Sequence, residues 1–141
     1  PTKSVRMALT TAAVSGVDVQ LMIPRKAGSW LVSKASYSYI RDMLQAGVKV
    51  YFYEKGFLHS KLWVSDDMLS SVGSTNIDFR SFEHNFEANA FIYDEETAMK
   101  MCEIFLADQH ECTQITLKQW KKRPWYSKFV ESVVRLLSPL L

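Results

Sequence analysis

His59 and Lys61 stand two residues apart in the run Phe57-Leu-His-Ser-Lys-Leu-Trp-Val-Ser65, with Asp66 directly after it. Gly73-Ser74-Thr75-Asn76 follows shortly afterwards. On an extended chain, side chains at i and i+2 project from the same face. Phe57, His59 and Lys61 then share one face, and Leu58, Ser60, Leu62 and Val64 the other. An imidazole beside a fixed ammonium gives a nucleophile or base next to a positive charge. Ser74 and Asn76 add a hydroxyl and a carboxamide, both able to donate hydrogen bonds to phosphate oxygens. The chemistry that suits this set is attack on a phosphate ester. The plain alternative is a solvent-facing strand followed by a polar turn with a helix cap.

Glu87 lies in the apolar stretch Phe86-Glu-Ala-Asn-Ala90 and needs a partner, because a lone carboxylate is costly to bury. His59 is one candidate, since a carboxylate on one ring nitrogen fixes the tautomer and frees the other. Arg80 and Lys61 are the others. Asp78 and Arg80 are expected to pair and brace the loop after Asn76. Gly73, where an apolar strand ends, is read as room for close approach of a ligand.

The elements that position these residues follow from periodicity. Residues 4–15 read as a helix stopped by Gly16, and residues 17–23 as a strand. Residues 24–29 read as a loop, with Lys26-Ala-Gly28 as its turn. Residues 30–46 form a second helix closed by Gly47, and residues 48–53 a second strand. Helix, strand, helix, strand suggests parallel pairing. Residues 57–65 and 69–73 read as a hairpin turning at Asp66-Asp67, and residues 86–93 as a further strand. Residues 95–108, 116–122 and 125–137 read as helices, with Thr116 a cap, Pro124 an opening residue and Pro139 a stop. The expected architecture is α/β, a mixed, mostly parallel β-sheet flanked by helices. A ligand is expected at strand carboxyl ends, with His59, Lys61 and Asn76 facing one cavity.

Composition narrows the functional classes. Seventeen basic against fifteen acidic residues leave a net charge of +2, which lacks the basic stripe of a nucleic-acid binder. Cys102 and Cys112 form no Cys-x-x-Cys pair, and His110 with Cys112 does not make a zinc site. No apolar run approaches the length of a bilayer span, and no signal peptide is visible. The abrupt start suggests a piece of a longer protein. Trp120-Lys-Lys-Arg-Pro-Trp-Tyr126 and the apolar residues after it suit either an interfacial helix or one packed on the domain; packing is the expectation.

His59, Lys61 and Asp66 fill His-x-Lys-x-x-x-x-Asp, and Gly73, Ser74 and Asn76 fill Gly-Ser-x-Asn. Together they resemble the signature of the phospholipase D superfamily. Residues 56–61, 73–82, 85–87 and much of 115–141 are similar to the second catalytic motif and tail of bacterial cardiolipin synthases. The resemblance implies a phospholipase D-like half. Residues 1–141 would be one catalytic domain, the carboxyl-terminal half of a two-motif chain, with 120–141 as a helical tail. It implies His59 as nucleophile forming a phosphohistidine, or as its partner acid and base. Lys61, Ser74 and Asn76 would bind phosphate oxygens, Glu87 would orient His59, and Asp66 would support the motif. No metal or cofactor is implied. The implied reaction joins two phosphatidylglycerols into cardiolipin and glycerol, and the implied location is the bacterial cytoplasmic membrane.

The implied partners are an anionic phospholipid, a membrane surface and a second motif, in the same chain or in a homodimer mate. One imidazole cannot attack and protonate a leaving alkoxide at the same instant. His84 and His110 carry no lysine two residues on, so this chain holds one motif. Two alternatives stay open. One is a dimeric single-motif phosphodiesterase or nuclease, against which the near-neutral charge speaks. The other is a non-catalytic half that completes a partner's fold.

Overall fold

The structure is a computed structural model that describes residues 2–25 and 30–136. Its elements are α1 (Lys3–Val14), β1 (Gln20–Pro24), α2 (Trp30–Gln45), β2 (Lys49–Tyr53), β3 (Leu62–Ser65), β4 (Leu69–Gly73), α3 (Phe79–Glu83), β5 (Asn89–Tyr93), α4 (Glu95–Gln109), β6 (Cys112–Ile115), α5 (Leu117–Lys121) and α6 (Trp125–Leu136). The expected turn at Lys26–Gly28 and the stop at Pro139 lie outside the described residues.

The strands form two three-stranded sheets, β1-β2-β6 and β3-β4-β5. Helices flank both, so the mixed α/β character holds. The parallel majority does not. Only β1 and β2 run parallel; β2–β6, β3–β4 and β4–β5 are antiparallel. Parallel neighbours need a crossover, and α2 supplies the one that links strands within a sheet. α4 packs against β3, β4 and β5 and also touches β2 and β6, so it ties the two sheets together.

The first sheet carries the core. Val50 and Phe52 alternate with exposed Lys49 and half-buried Tyr51, and both are wholly buried. They meet Ile40 and Met43 of α2, with Val48 and Trp120 completing the cluster. Tyr37, Phe52 and Trp120 interlock, with edge-to-face contacts at 5.3 and 5.8 Å and a stacked pair at 6.1 Å. Gly47, at φ 97°, lets the chain reverse after α2, and Val48 N–H then bonds back to Met43. That reversal delivers Val48 into the core. Thr116 and Gln119 form the reciprocal cap that opens α5 and fixes Trp120 inward.

α6 packs on α2, as expected for the tail. A clamp holds it there. Arg123 lies over the Trp120 ring, 3.3 Å from its centroid, and donates two hydrogen bonds to buried Glu131 at 2.7 and 2.8 Å. No helix among the described residues is long and apolar enough to cross a membrane.

The clamp gives a stability test. Arg123→Ala leaves Glu131 buried without its cation and should cost about 3 kcal/mol in urea unfolding. The double variant Arg123→Met, Glu131→Met should recover most of that loss, because it removes both charges together.

Candidate active site

The second sheet brings the chemistry together through its pairing. Leu62 faces Val72, Val72 faces Ala90, and Gly73 faces Asn89. The residues just before β3, just after β4 and just before β5 therefore meet at one edge. These are His59 and Lys61, Ser74 and Asn76, and Glu87. The edge is the carboxyl end of β4 but the amino end of β3 and β5, because neighbours are antiparallel. The expected placement at carboxyl ends of parallel strands is thus corrected.

His59 and Lys61 do not lie within a strand; regular pairing begins only at Leu62. Phe57 and His59 still share a side. The His59 ring stacks on Phe57 at 5.5 Å, and Lys61 Nζ donates to the His59 carbonyl at 2.8 Å. The Gly73 N–H donates to the Lys61 carbonyl at 3.3 Å, which ties the two motifs. Neither ring nitrogen of His59 has a hydrogen-bond partner among the described residues.

Glu87 is held by other groups than those weighed from sequence. Ser74 Oγ donates a short hydrogen bond to Glu87 Oε2, and Asn85 Nδ2 donates to Oε1 at 3.2 Å. The Ser74 bond is the largest cause holding the Glu87 carboxyl below its ordinary value, with Ser81 and Asn85 next and the Lys61 charge adding least. The buried Ser81 hydroxyl faces that carboxylate from outside good hydrogen-bonding geometry. No bond joins Glu87 to His59 or to Arg80.

Ser74 is a brace in this arrangement. Its hydroxyl proton goes to Glu87, its oxygen accepts from Ala88 N–H at 3.0 Å, and its own N–H bonds the Ala88 carbonyl at 2.9 Å. Lys61, with ammonium protons beyond the one given to His59, and the exposed Asn76 are the groups of this edge that still have donors to offer. Asn89 adds a second brace. Its side chain accepts from Thr75 N–H at 3.4 Å and donates to the Thr75 hydroxyl. Gly73 is required by the fold itself. A Cβ there would overlap Asn89 Oδ1 and the Ala88 carbonyl and come within 2.6 Å of Asn89 Cα.

Asp66 is not brought to this cluster. It sits in the β3–β4 turn, at the opposite end of the hairpin from Lys61, separated by about 15 Å of extended chain. Asp66 and Asp67 both have φ 53°, and Met68 N–H bonds the Ser65 carbonyl at 3.2 Å. That is a two-residue reverse turn of the kind that matches strand twist. Asp78 does not pair with Arg80. It caps α3, accepting from Ser81 N–H at 2.8 Å, and Arg80 has no ion-pair partner among the described residues.

The sequence reading missed Asn85, Asn89 and Thr75 as the framework of the site. A signal existed. Asn85, Glu87 and Asn89 recur at every second residue, which sets three polar groups on one side of an extended chain.

Among the described residues, the cavities of about 280 and 240 Å³ both lie away from this edge. The larger of these lies between α2, α5 and α6, lined by Tyr37, Arg41, Trp120, Arg123 and Glu131 among others. His59 and Asn76 are instead exposed, with exposed Phe57 stacked on His59, Ile77 following Asn76 and Phe86 preceding Glu87. Phe86 is fully exposed, at 107%.

Two outcomes follow. Gly73→Ala should lower stability by about 1–3 kcal/mol, read from the urea midpoint, because β5 must move to admit the methyl group. Glu87 has a depressed folded value, so its contribution is complete above the ordinary carboxyl value of 4.5 and is lost as acid titrates it in the fold. Glu87→Gln should therefore be less stable than the parent at pH 7. The gap should close as unfolding is measured progressively below pH 4.5.

Comparison with known proteins places these features. The family profile described as "Cardiolipin synthase, PLD-like domain" matches residues 1–109. The chain is 48% identical over all 141 residues to a cardiolipin synthase of Geobacillus thermodenitrificans, covering 28% of that protein. It is also 48% identical over its full length to cardiolipin synthase 1 of Staphylococcus epidermidis, covering 29%. The chain thus spans less than a third of the length of these relatives. Among solved structures, the phospholipase D family member Nuc from Salmonella typhimurium aligns with TM-score 0.70 at 20% identity, over 82% of this chain and 75% of that one. Phosphatidylserine synthase from Haemophilus influenzae aligns with TM-score 0.75 at 13% identity, over 99% of this chain and 39% of that one. At such identities these two matches speak for the fold alone. Taken with the motif spacing and the shared sheet edge, the full-length matches establish that the chain belongs to the phospholipase D-like domain family of the cardiolipin synthases.

Proposed function

We propose that this chain supplies one half of a phosphatidyl-transfer site that makes cardiolipin at a bacterial membrane surface. The observation that carries the reading is the meeting of His59, Lys61 and Asn76 at one sheet edge. His59 attacks phosphorus of one phosphatidylglycerol. A nitrogen–phosphorus bond forms, the phosphorus–oxygen bond to glycerol breaks, and the departing alkoxide takes a proton from an acid outside this chain. A second phosphatidylglycerol then attacks through its terminal hydroxyl. Its oxygen bonds to phosphorus, its proton passes to a base, and the imidazole is released. Splitting the exchange in two avoids a single difficult displacement.

In this reading Lys61 and Asn76 hold the phosphate oxygens as charge gathers on them. Ser74 and Glu87 keep the Asn76 loop in position. The free ring nitrogens of His59 leave one for attack and one for a partner. The open, phenylalanine-bordered edge supports the reading that a second motif closes the site, from a longer chain or a homodimer mate.

The test is a chimera. This chain replaces the matching segment of the Geobacillus relative, and product formation from phosphatidylglycerol vesicles is followed. The chimera should make cardiolipin, and His59→Ala in it should lower the rate by at least about a thousandfold. Retained synthesis in that variant would favour a purely structural half. The isolated 141-residue chain, verified as a monomer, should show no turnover.

A further inference from the structure

Trp120 is buried in the core, but the next two aromatics are left outside. Trp125 is 77% exposed and Tyr126 59% exposed, their rings touching edge to face at 6.5 Å. They begin α6, two and three residues beyond Arg123 of the clamp, which ties their position to the core. Exposed Lys118, Lys121 and Lys122 lie directly before them on α5 and the bend. From Ile115 to Ser132 the chain has five basic residues and one acidic residue. The acidic one is Glu131, already held by Arg123. The remainder of the chain has twelve basic and fourteen acidic residues, so the net positive charge is concentrated in this segment.

We infer that the bend between α5 and α6 is a docking surface for an anionic phospholipid bilayer. Amphipathic rings settle at the level of lipid headgroups, and lysines beside them are drawn to the negative surface potential. Charge decides between this patch and the other exposed aromatic group. Trp63, Phe91 and Tyr93 cover one side of the second sheet, over buried Ser71. That group is bordered by Asp66, Asp67, Asp94, Glu95 and Glu96, all exposed, which an anionic surface repels. The choice of anionic lipid as occupant rests on the phosphatidyl-transfer reading. The patch itself is separate from the edge that carries His59.

Co-sedimentation of the 141-residue chain with vesicles tests it. Vesicles of phosphatidylglycerol and phosphatidylcholine are compared with phosphatidylcholine alone. The chain should bind the mixed vesicles, with affinity falling as salt rises. Lys118→Gln with Lys122→Gln should weaken binding about 25-fold, at about fivefold per lysine. Trp125→Ser with Tyr126→Ser should weaken it roughly tenfold. These positions are exposed, and unchanged urea midpoints would show that both variants fold. No binding by the parent chain, or equal binding by both variants, overturns the inference. Vesicle binding that persists while the chimera makes no cardiolipin would sink the reading of the site and leave the docking surface standing.

Discussion

The site depends on one close approach. The backbone at Gly73 lies against Ala88 and Asn89 with no room for a side chain. That approach lets Ser74 reach both Ala88 and Glu87, and lets Asn89 hold Thr75. The loop carrying Asn76 is thereby fixed to β5 on one side. On the other side the Gly73 N–H holds the Lys61 carbonyl, and Lys61 holds that of His59. Every candidate group of the edge is joined to this chain of hydrogen bonds or flanked by it.

The two sheets divide the work. The first buries Val50 and Phe52 under α2 and locks Trp120 into the same cluster, so it supplies most of the core. The second has a thinner interior, with small Ser70 and Ser71 buried at its centre and aromatic rings exposed above. α4 packs on both and ties the edge that carries His59 to the core.

Electrostatics follow the same economy. The net charge is only +2, yet single charges are placed where they count. Lys61 sits at the edge beside a carboxylate held ionised by neutral hydrogen-bond donors, chiefly Ser74. Arg123 is spent inside the clamp, while lysines near it remain exposed. Charge in this chain is therefore local, and its overall balance says little about what it binds.

Much of the molecule was written in the sequence. The helices 3–14, 30–45, 95–109, 117–121 and 125–136 follow from apolar spacing and from caps such as Thr116, which are local signals. The motif residues and the turn at Asp66-Asp67 were legible for the same reason. The short strand 112–115 was not, because four mostly polar residues carry no period and take their conformation from β2. Nor was the fate of Asp66, Asp78 and Glu87. Their spacing allowed several partners, and only antiparallel register decided which ends of the strands meet. The sequence determined which chemical groups the chain possesses and where its backbone turns. Tertiary structure decided which of them share an edge, because strand pairing joins residues far apart in the chain through backbone bonds that no side chain announces.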